Sequence, residues 1–154
     1  MKNQKSLTNK GFSLVELIIV VAIMAILIGV LAPQYLRYVE KSRLQKDNTS
    51  MGEFANVAKM AGAEEDVILE LNTAGSVTFA FTGGTFNDPG TAPKLVAEIQ
   101  KTISTGEMTL TSSTYSKKGY PSITVKVDTS TNIVTVSATG WIAAPDAAAE
   151  AKVF

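Results

Sequence analysis

A run of 21 residues near the N-terminus, from Phe12 to Ala32, contains only two polar side chains, Ser13 and Glu16. As a helix this run would be about 30 Å long, which matches the hydrocarbon thickness of a bilayer. A helix is the only single segment that satisfies its own backbone polar groups in hydrocarbon. The run is therefore predicted to be either a membrane span or a helix buried on all sides by copies of itself.

The composition of the chain excludes several classes of function. Fourteen Lys and Arg residues balance fourteen Asp and Glu residues over 154 positions, so the net charge gives no indication of a nucleic-acid partner. Cysteine and histidine are absent, which excludes disulfides, thiolate nucleophiles and histidine-based metal or acid–base sites. We therefore expect no catalytic residue, no cofactor and no metal site, and we predict that the chain is not an enzyme.

The segment before the apolar run is short and basic, with Lys2, Lys5 and Lys10 and no acidic residue. It is similar to the start of a secretory signal peptide, and the lysines predict a cytoplasmic N-terminus. However, the run is longer than an ordinary signal core, and no small-x-small cleavage site ends it before Arg37. An uncleaved signal anchor is the simplest alternative.

Apolar residues continue at helical spacing beyond Pro33, which as a proline is expected to kink the helix. One bent helix is predicted from about Ser13 to about Ala61, with Gly62 as its stop. The predicted inward stripe of its second half is Leu44, Met51, Phe54, Ala55 and Ala58. The predicted outward residues are Arg37, Lys41, Lys46, Glu53 and Lys59.

The remaining residues predict a sheet-rich head. Alternation favours a strand at 77–82, ending in a Gly83-Gly84 turn, and a hairpin of 122–127 with 133–138. A loop is predicted at 86–93, a helix at 91–104, a short strand at 108–111, an exposed loop at 117–120 and a weak tail at 147–151. The fold class is thus α+β, with the second half of a long helix packed on an antiparallel sheet.

The residues from Lys10 to Leu17, Lys-Gly-Phe-Ser-Leu-Val-Glu-Leu, place a Gly and an aromatic residue before a Glu at the mouth of the apolar run. This arrangement resembles the class III signal sequence of type IV pilins. The resemblance covers residues 1–41, including Pro33, and beyond them it is architectural only. It implies a cleaved leader at 1–11, a membrane and filament-core helix at 12–36 and a head at 37–154. The resemblance is to a major pilin, although the cysteine pair of many pilins is absent from this chain.

The resemblance also implies a role for each residue of the motif. A prepilin peptidase would cut between Gly11 and Phe12 and N-methylate Phe12. Glu16 of one subunit would then meet the Phe12 amine of a neighbour during assembly, while Pro33 would loosen the helix in the filament. A pairing of Glu16 with an amine is also expected from its charge, because a carboxylate buried among apolar helices needs a positive partner and the apolar run contains no Lys or Arg.

Three functions remain open from the sequence. The first is a structural subunit of an extracellular type IV pilus, a helical homo-oligomer that acts in twitching motility, surface adhesion and biofilm formation. Its partners would be the prepilin peptidase, the pilus assembly machinery and, before assembly, the cytoplasmic membrane, which the chain would cross once. The second is a pseudopilin of a type II secretion or DNA-uptake system. The third is a membrane-anchored binding module.

Overall fold

The computed structural model describes residues 11–104 and 108–154. The predicted leader, apart from Gly11, lies outside the described residues. The chain forms two compact units that meet in sequence between Tyr38 and Val39. The helices are α1 (Leu14–Ala61), α2 (Glu65–Ala74), α3 (Pro93–Thr102) and α4 (Ser113–Lys118). The strands are β1 (Ser76–Thr82), β2 (Thr85–Asn87), β3 (Ser122–Asp128), β4 (Ile133–Trp141) and β5 (Glu150–Val153).

The first unit contains the start of α1, whose most apolar window is not buried anywhere along its length. The large side chains there are more than two-fifths exposed, from Phe12 at 85% to Val20 at 43%. By length and composition α1 qualifies as a candidate membrane span. α1 also contains Pro33, which lies inside the helix.

The second unit contains a single antiparallel sheet with the strand order β2-β1-β3-β4-β5. β1 pairs with β3, and β3 pairs with β4 from Ser122↔Thr139 to Asp128↔Ile133. Alternate side chains of β1, β3 and β4 are buried because successive residues of a strand face opposite sides of the sheet. This face of the sheet forms one wall of the core.

The second half of α1 supplies the opposite wall. Its buried residues include all five members of the predicted inward stripe, and the five residues predicted to face outward are exposed. The ring of Phe54 lies 5.2 Å from that of Phe79 on β1 and 5.0 Å from that of Phe86 on β2. The prediction of an α+β fold with a helix packed on an antiparallel sheet is confirmed.

α1 ends before Gly62, as predicted, but not because Gly62 adopts a left-handed conformation. A Cβ atom at this position would lie 2.9 Å from Cγ1 of Val134, so the glycine permits close packing of the chain against β4. By contrast, Gly83 and Gly84 have φ angles of 61° and 85°. Positive angles at both positions are what a two-residue hairpin turn requires.

That turn explains why the loop prediction for 86–93 was wrong at its start. The chain reverses tightly at Gly83-Gly84, so Phe86 and Asn87 pair with β1 as β2. The predicted strand at 108–111 was also wrong, because only Thr109 forms a bridge, with Thr85. Thr85–Asn87 is too short an edge strand to hold a longer partner there.

Two further predictions, the exposed loop at 117–120 and the tail at 147–151, were wrong in part. Lys117 and Lys118 belong to α4, and the Lys118 ammonium group donates to the carbonyl oxygens of Pro145 and Ala147 at 2.8 and 2.7 Å. The predicted tail instead leads into β5, which pairs with β4. Local sequence at both places is polar or alanine-rich, so long-range partners decide the conformation.

Candidate processing and assembly site

The residues predicted to be cut and modified lie at the start of the described chain. Gly11 has no atom within 4 Å of the position that a Cβ would occupy, and its φ is not in the left-handed region. Neither packing nor backbone conformation therefore requires a glycine here. Phe12 is 85% exposed, so the bond between these two residues is accessible to an enzyme.

The beginning of α1 is a capping box formed by Ser13 and Glu16. The Ser13 hydroxyl accepts a hydrogen bond from the amide of Val15 at 3.3 Å, and Oε2 of Glu16 accepts one from the amide of Ser13 at 3.0 Å. These bonds satisfy amide groups that a helix start leaves without partners inside the helix. The Glu16 carboxylate thus has a partner within its own chain.

Within the ranges that the structure describes, one oxygen of that carboxylate is engaged. Among the described residues, Oε1 of Glu16 receives no hydrogen bond, and the residue is exposed. An ionised carboxylate has about four lone-pair sites, so it can keep the cap and still accept bonds from another molecule. Among the described residues no hydrogen bond or ion pair joins Phe12 to the Glu16 carboxylate, and a single chain does not test the predicted pairing with the Phe12 amine of another subunit.

A second set of polar residues, on the later part of α1, was missed by sequence reasoning. Asp47 is almost fully buried, at 1% exposure. Its carboxylate accepts hydrogen bonds from the amide of Thr111 at 3.0 and 2.9 Å and from the amide of Ser112 at 2.7 Å. The charge is therefore compensated by backbone donors, as a buried carboxylate requires.

Glu40 binds the residues that follow, at the start of α4. Its Oε1 accepts hydrogen bonds of 2.7 Å from the Ser112 hydroxyl and from the amide and hydroxyl of Thr114. Burial acts to raise the pKa of this carboxyl, but the hydrogen bonds together outweigh burial and lower the pKa to about 2. Glu40 thus caps α4 as an anion, in addition to the local Ser112 cap.

Asn48 completes this polar set by linking two distant segments. Its side-chain amide donates to the carbonyl oxygen of Ile142 at 2.9 Å, and its oxygen accepts from the Tyr115 hydroxyl at 2.6 Å. Burial raises the pKa of Tyr115 to about 12, and the negative charge of Asp47 adds to this effect. The hydroxyl therefore stays protonated as a donor near neutral pH.

A sequence signal for this set did exist. Glu40 and Asp47 are seven residues apart, and Leu44 and Met51 have the same spacing on the buried stripe. An acid on an apolar stripe must find donors in the molecule to which the stripe packs. That signal does not say which donors, because Thr111 and Ser112 are more than sixty positions away in the sequence.

Two comparisons with known proteins found matches. A family model described as the prokaryotic N-terminal methylation motif matches residues 6–32. The type IV major fimbrial protein FimA of Dichelobacter nodosus is 35% identical over 79 residues, which are 51% of this chain and 47% of that protein. The chain thus spans about half the length of the curated relative that it matches. No solved structure matches the chain.

These matches confirm the resemblance to type IV pilins and the predicted N-terminal methylation motif, and α1 is a candidate transmembrane helix. The matched motif includes Gly11, Phe12 and Glu16, although it does not test the role of each one. Type IV pilins, which the chain resembles, are structural proteins and not an enzyme family.

Proposed function

We propose that this chain, which has the N-terminal motif of type IV pilins, is a structural subunit of an extracellular type IV pilus. The exposure of the apolar run is the observation that carries the proposal. Fifteen large apolar side chains between Phe12 and Leu31 are more than two-fifths exposed. At about 1–2 kcal/mol each, their burial is worth roughly 20 kcal/mol, more than the whole stability of a typical domain.

Such a surface requires an apolar environment outside the chain, which a bilayer and a bundle of identical helices both supply. We propose that the chain occupies them in turn, as a single-pass protein of the cytoplasmic membrane and then as part of a helical filament. Residues 1–11 act as the leader, 12–36 as the membrane and filament-core helix and 37–154 as the head. The relative's description as a major fimbrial protein supports a pilus subunit over a secretion pseudopilin.

Processing after Gly11 follows from the same proposal. The peptidase cuts the Gly11–Phe12 bond and methylates the new amine, which stays protonated near neutral pH because it is a secondary amine. Gly11 then serves the enzyme alone, since a Cβ at this position would have no described atom within 4 Å. The prepilin peptidase and the assembly machinery are the partners that this route needs.

The register of the filament would be set by Glu16. Its Oε1, which has no partner in the described part of the chain, accepts from the Phe12 amine of a neighbouring subunit while Oε2 keeps the cap on the amide of Ser13. In the membrane the carboxylate lies near the end of the span and reaches the headgroup region. In the helix bundle the Glu16 carboxylate no longer reaches the headgroup region, so a subunit placed out of register leaves a buried charge unpaired.

The test is the mass of the mature chain, measured after expression with a prepilin peptidase. We expect a chain that begins at Phe12 and carries a methyl group. Gly11→Val should block the cut, whereas Gly29→Val should not, although both sites have open space around them. An intact Met1 in the unaltered chain would support the membrane-anchored binding module instead.

A further inference from the structure

On the part of α1 that follows the apolar run, the exposed charges are mainly positive. Of the charged residues between positions 39 and 47, the acids Glu40 and Asp47 bind the 111–114 segment and are covered at least in part. The bases Lys41, Arg43 and Lys46 are all exposed. In the described part of the chain, no ion pair or hydrogen bond engages the side chains of these three bases.

These three bases, which we name the basic collar, point in different directions. Successive residues of an α-helix are about 100° apart. With Leu44 and Asp47 facing the core, Lys41 lies on one flank of the helix and Arg43 on the other. Lys46 lies on the outer side. A protein docking on one flank would reach one or two of the bases, whereas a layer that surrounds the helix reaches all three.

The position of the collar in the sequence matches such a layer. From Leu17, just after Glu16, to Leu36 there are 20 residues, or about 30 Å of helix, which equals the hydrocarbon thickness. The collar begins five residues later. Headgroup layers add about 5–8 Å on each side of the hydrocarbon, and long basic side chains extend toward them from beyond.

We propose that the basic collar binds the headgroups of anionic phospholipids while the chain is held in the membrane, an inference that rests on the proposed function. Because Glu40 and Asp47 are committed to the head, they do not neutralise the collar. Its three charges therefore remain available to a negative surface within about a Debye length. Anionic lipid would then hold the base of the head at the membrane surface until the subunit is extracted.

The test uses the full chain, which has no cysteine of its own, in vesicles. A fluorophore on Ser42→Cys, an exposed position within the collar, reports access of the neutral quencher acrylamide. We expect at least about twofold slower quenching in vesicles containing one-third phosphatidylglycerol than in phosphatidylcholine alone. The difference should vanish at about 1 M salt, where the Debye length is only about 3 Å.

The Lys41→Gln/Arg43→Gln/Lys46→Gln variant should lose the lipid difference. A control variant with the same change of net charge, Lys94→Gln/Lys101→Gln/Lys126→Gln, should keep it, because those exposed lysines lie on α3 and β3. Equal quenching in both lipids would overturn the proposal. So would a collar variant that keeps the lipid difference but forms no filaments, since the bases would then serve contacts between copies.

A second label at Ala25→Cys, within the apolar run, separates this proposal from the proposed function. It should be shielded from acrylamide in both lipids. A shielded Ala25 label combined with a Ser42 label that ignores lipid charge overturns the collar proposal and leaves membrane insertion standing. An Ala25 label open to quencher overturns both.

Discussion

Glu16 and Asp47 are carboxylates of the same helix in opposite settings. Glu16 is exposed, caps its own helix with one oxygen and leaves the other without a partner among the described residues. Asp47 is buried, and both of its oxygens accept hydrogen bonds from residues 111 and 112. A polar residue on an apolar surface can thus have either of two roles. An incompletely paired one is available to another molecule, whereas a fully paired one fixes the fold.

The same contrast holds for the apolar residues of the two regions. Between Phe12 and Leu31 the large side chains are exposed, while Met51, Phe54 and Ala58 have no exposed surface at all. Hydrophobic burial in the second unit therefore takes place largely within the chain and stabilises the head. The apolar side chains of the first region are not buried by the described part of the chain, which supports the proposed assembly of subunits into a filament.

The largest expected effect is on assembly, from Glu16→Gln. The amide oxygen can still cap the Ser13 amide, but the negative charge is lost, so the Phe12 amine of a neighbour has no counter-ion. We expect normal processing and insertion but no filaments, as scored by electron microscopy of sheared surface material. Glu53→Gln, an exposed acid on the later part of α1, is the control. Normal filaments from Glu16→Gln would contradict the proposed pairing.

The next effect is on stability, from Asp47→Ala. Removing the Asp47 carboxylate leaves the Ser112 and Thr111 amides without their hydrogen-bond acceptor. This loss should lower the free energy of unfolding by about 2–4 kcal/mol. Denaturant unfolding of the detergent-solubilised chain, followed by the fluorescence of Trp141, measures this. Glu53→Ala should change stability by less than about 0.5 kcal/mol. Equal effects of the two substitutions would show that the hydrogen bonds of Asp47 do not stabilise the head.

A smaller effect is expected from pH through Glu40. Its pKa is lowered from 4.5 to about 2, so its contribution is complete above about pH 4.5 and is lost as pH falls toward 2. After allowance for solvent screening, the loss is roughly 1–2 kcal/mol. Between pH 7 and pH 2.5, the free energy of unfolding should fall by about 1–2 kcal/mol more in the unaltered chain than in Glu40→Gln. Identical pH dependence in the two chains would refute this role.

The smallest expected effect concerns the C-terminal strand. The Lys152 ammonium group lies 4.0 Å from the centre of the Trp141 ring and 4.9 Å from that of Phe154. Lys152→Ala should therefore cost about 0.5–1 kcal/mol of stability. Lys126→Ala, at another exposed strand position, serves as the matched change in the same unfolding assay. A cost no greater than that of Lys126→Ala would remove the cation–π contact as a source of stability.

Prediction from sequence succeeded where the signal was local and periodic. The stripe from Leu44 to Ala58 and the alternation of residues 122–127 and 133–138 each repeat with one structural period, so neighbouring residues reinforce the same conformation. It failed for α4 and β5, whose local sequences have weak preferences. α4 is capped from a distance by Glu40, and β5 forms by pairing with β4.

The candidate site divides in the same way. Gly11, Phe12 and Glu16 stay predictions from the sequence, made because a carboxylate in a long apolar run has few structural explanations. The sequence did not show that Ser13 and Glu16 cap the helix together, although the Ser-x-x-Glu spacing was available as a signal. It also missed Glu40, Asp47 and Asn48, whose partners are remote in sequence.

By itself, the sequence determined that α1 begins with a long apolar surface, for which we propose burial in lipid or among other copies. It determined this because hydrophobicity is additive along a helix and needs no knowledge of distant residues. Tertiary structure alone decided which polar residues are engaged, turning Glu40 and Asp47 inward and leaving one Glu16 oxygen without a partner among the described residues. That choice depends on donors brought close by the fold, since a hydrogen bond requires atoms within about 3 Å of each other.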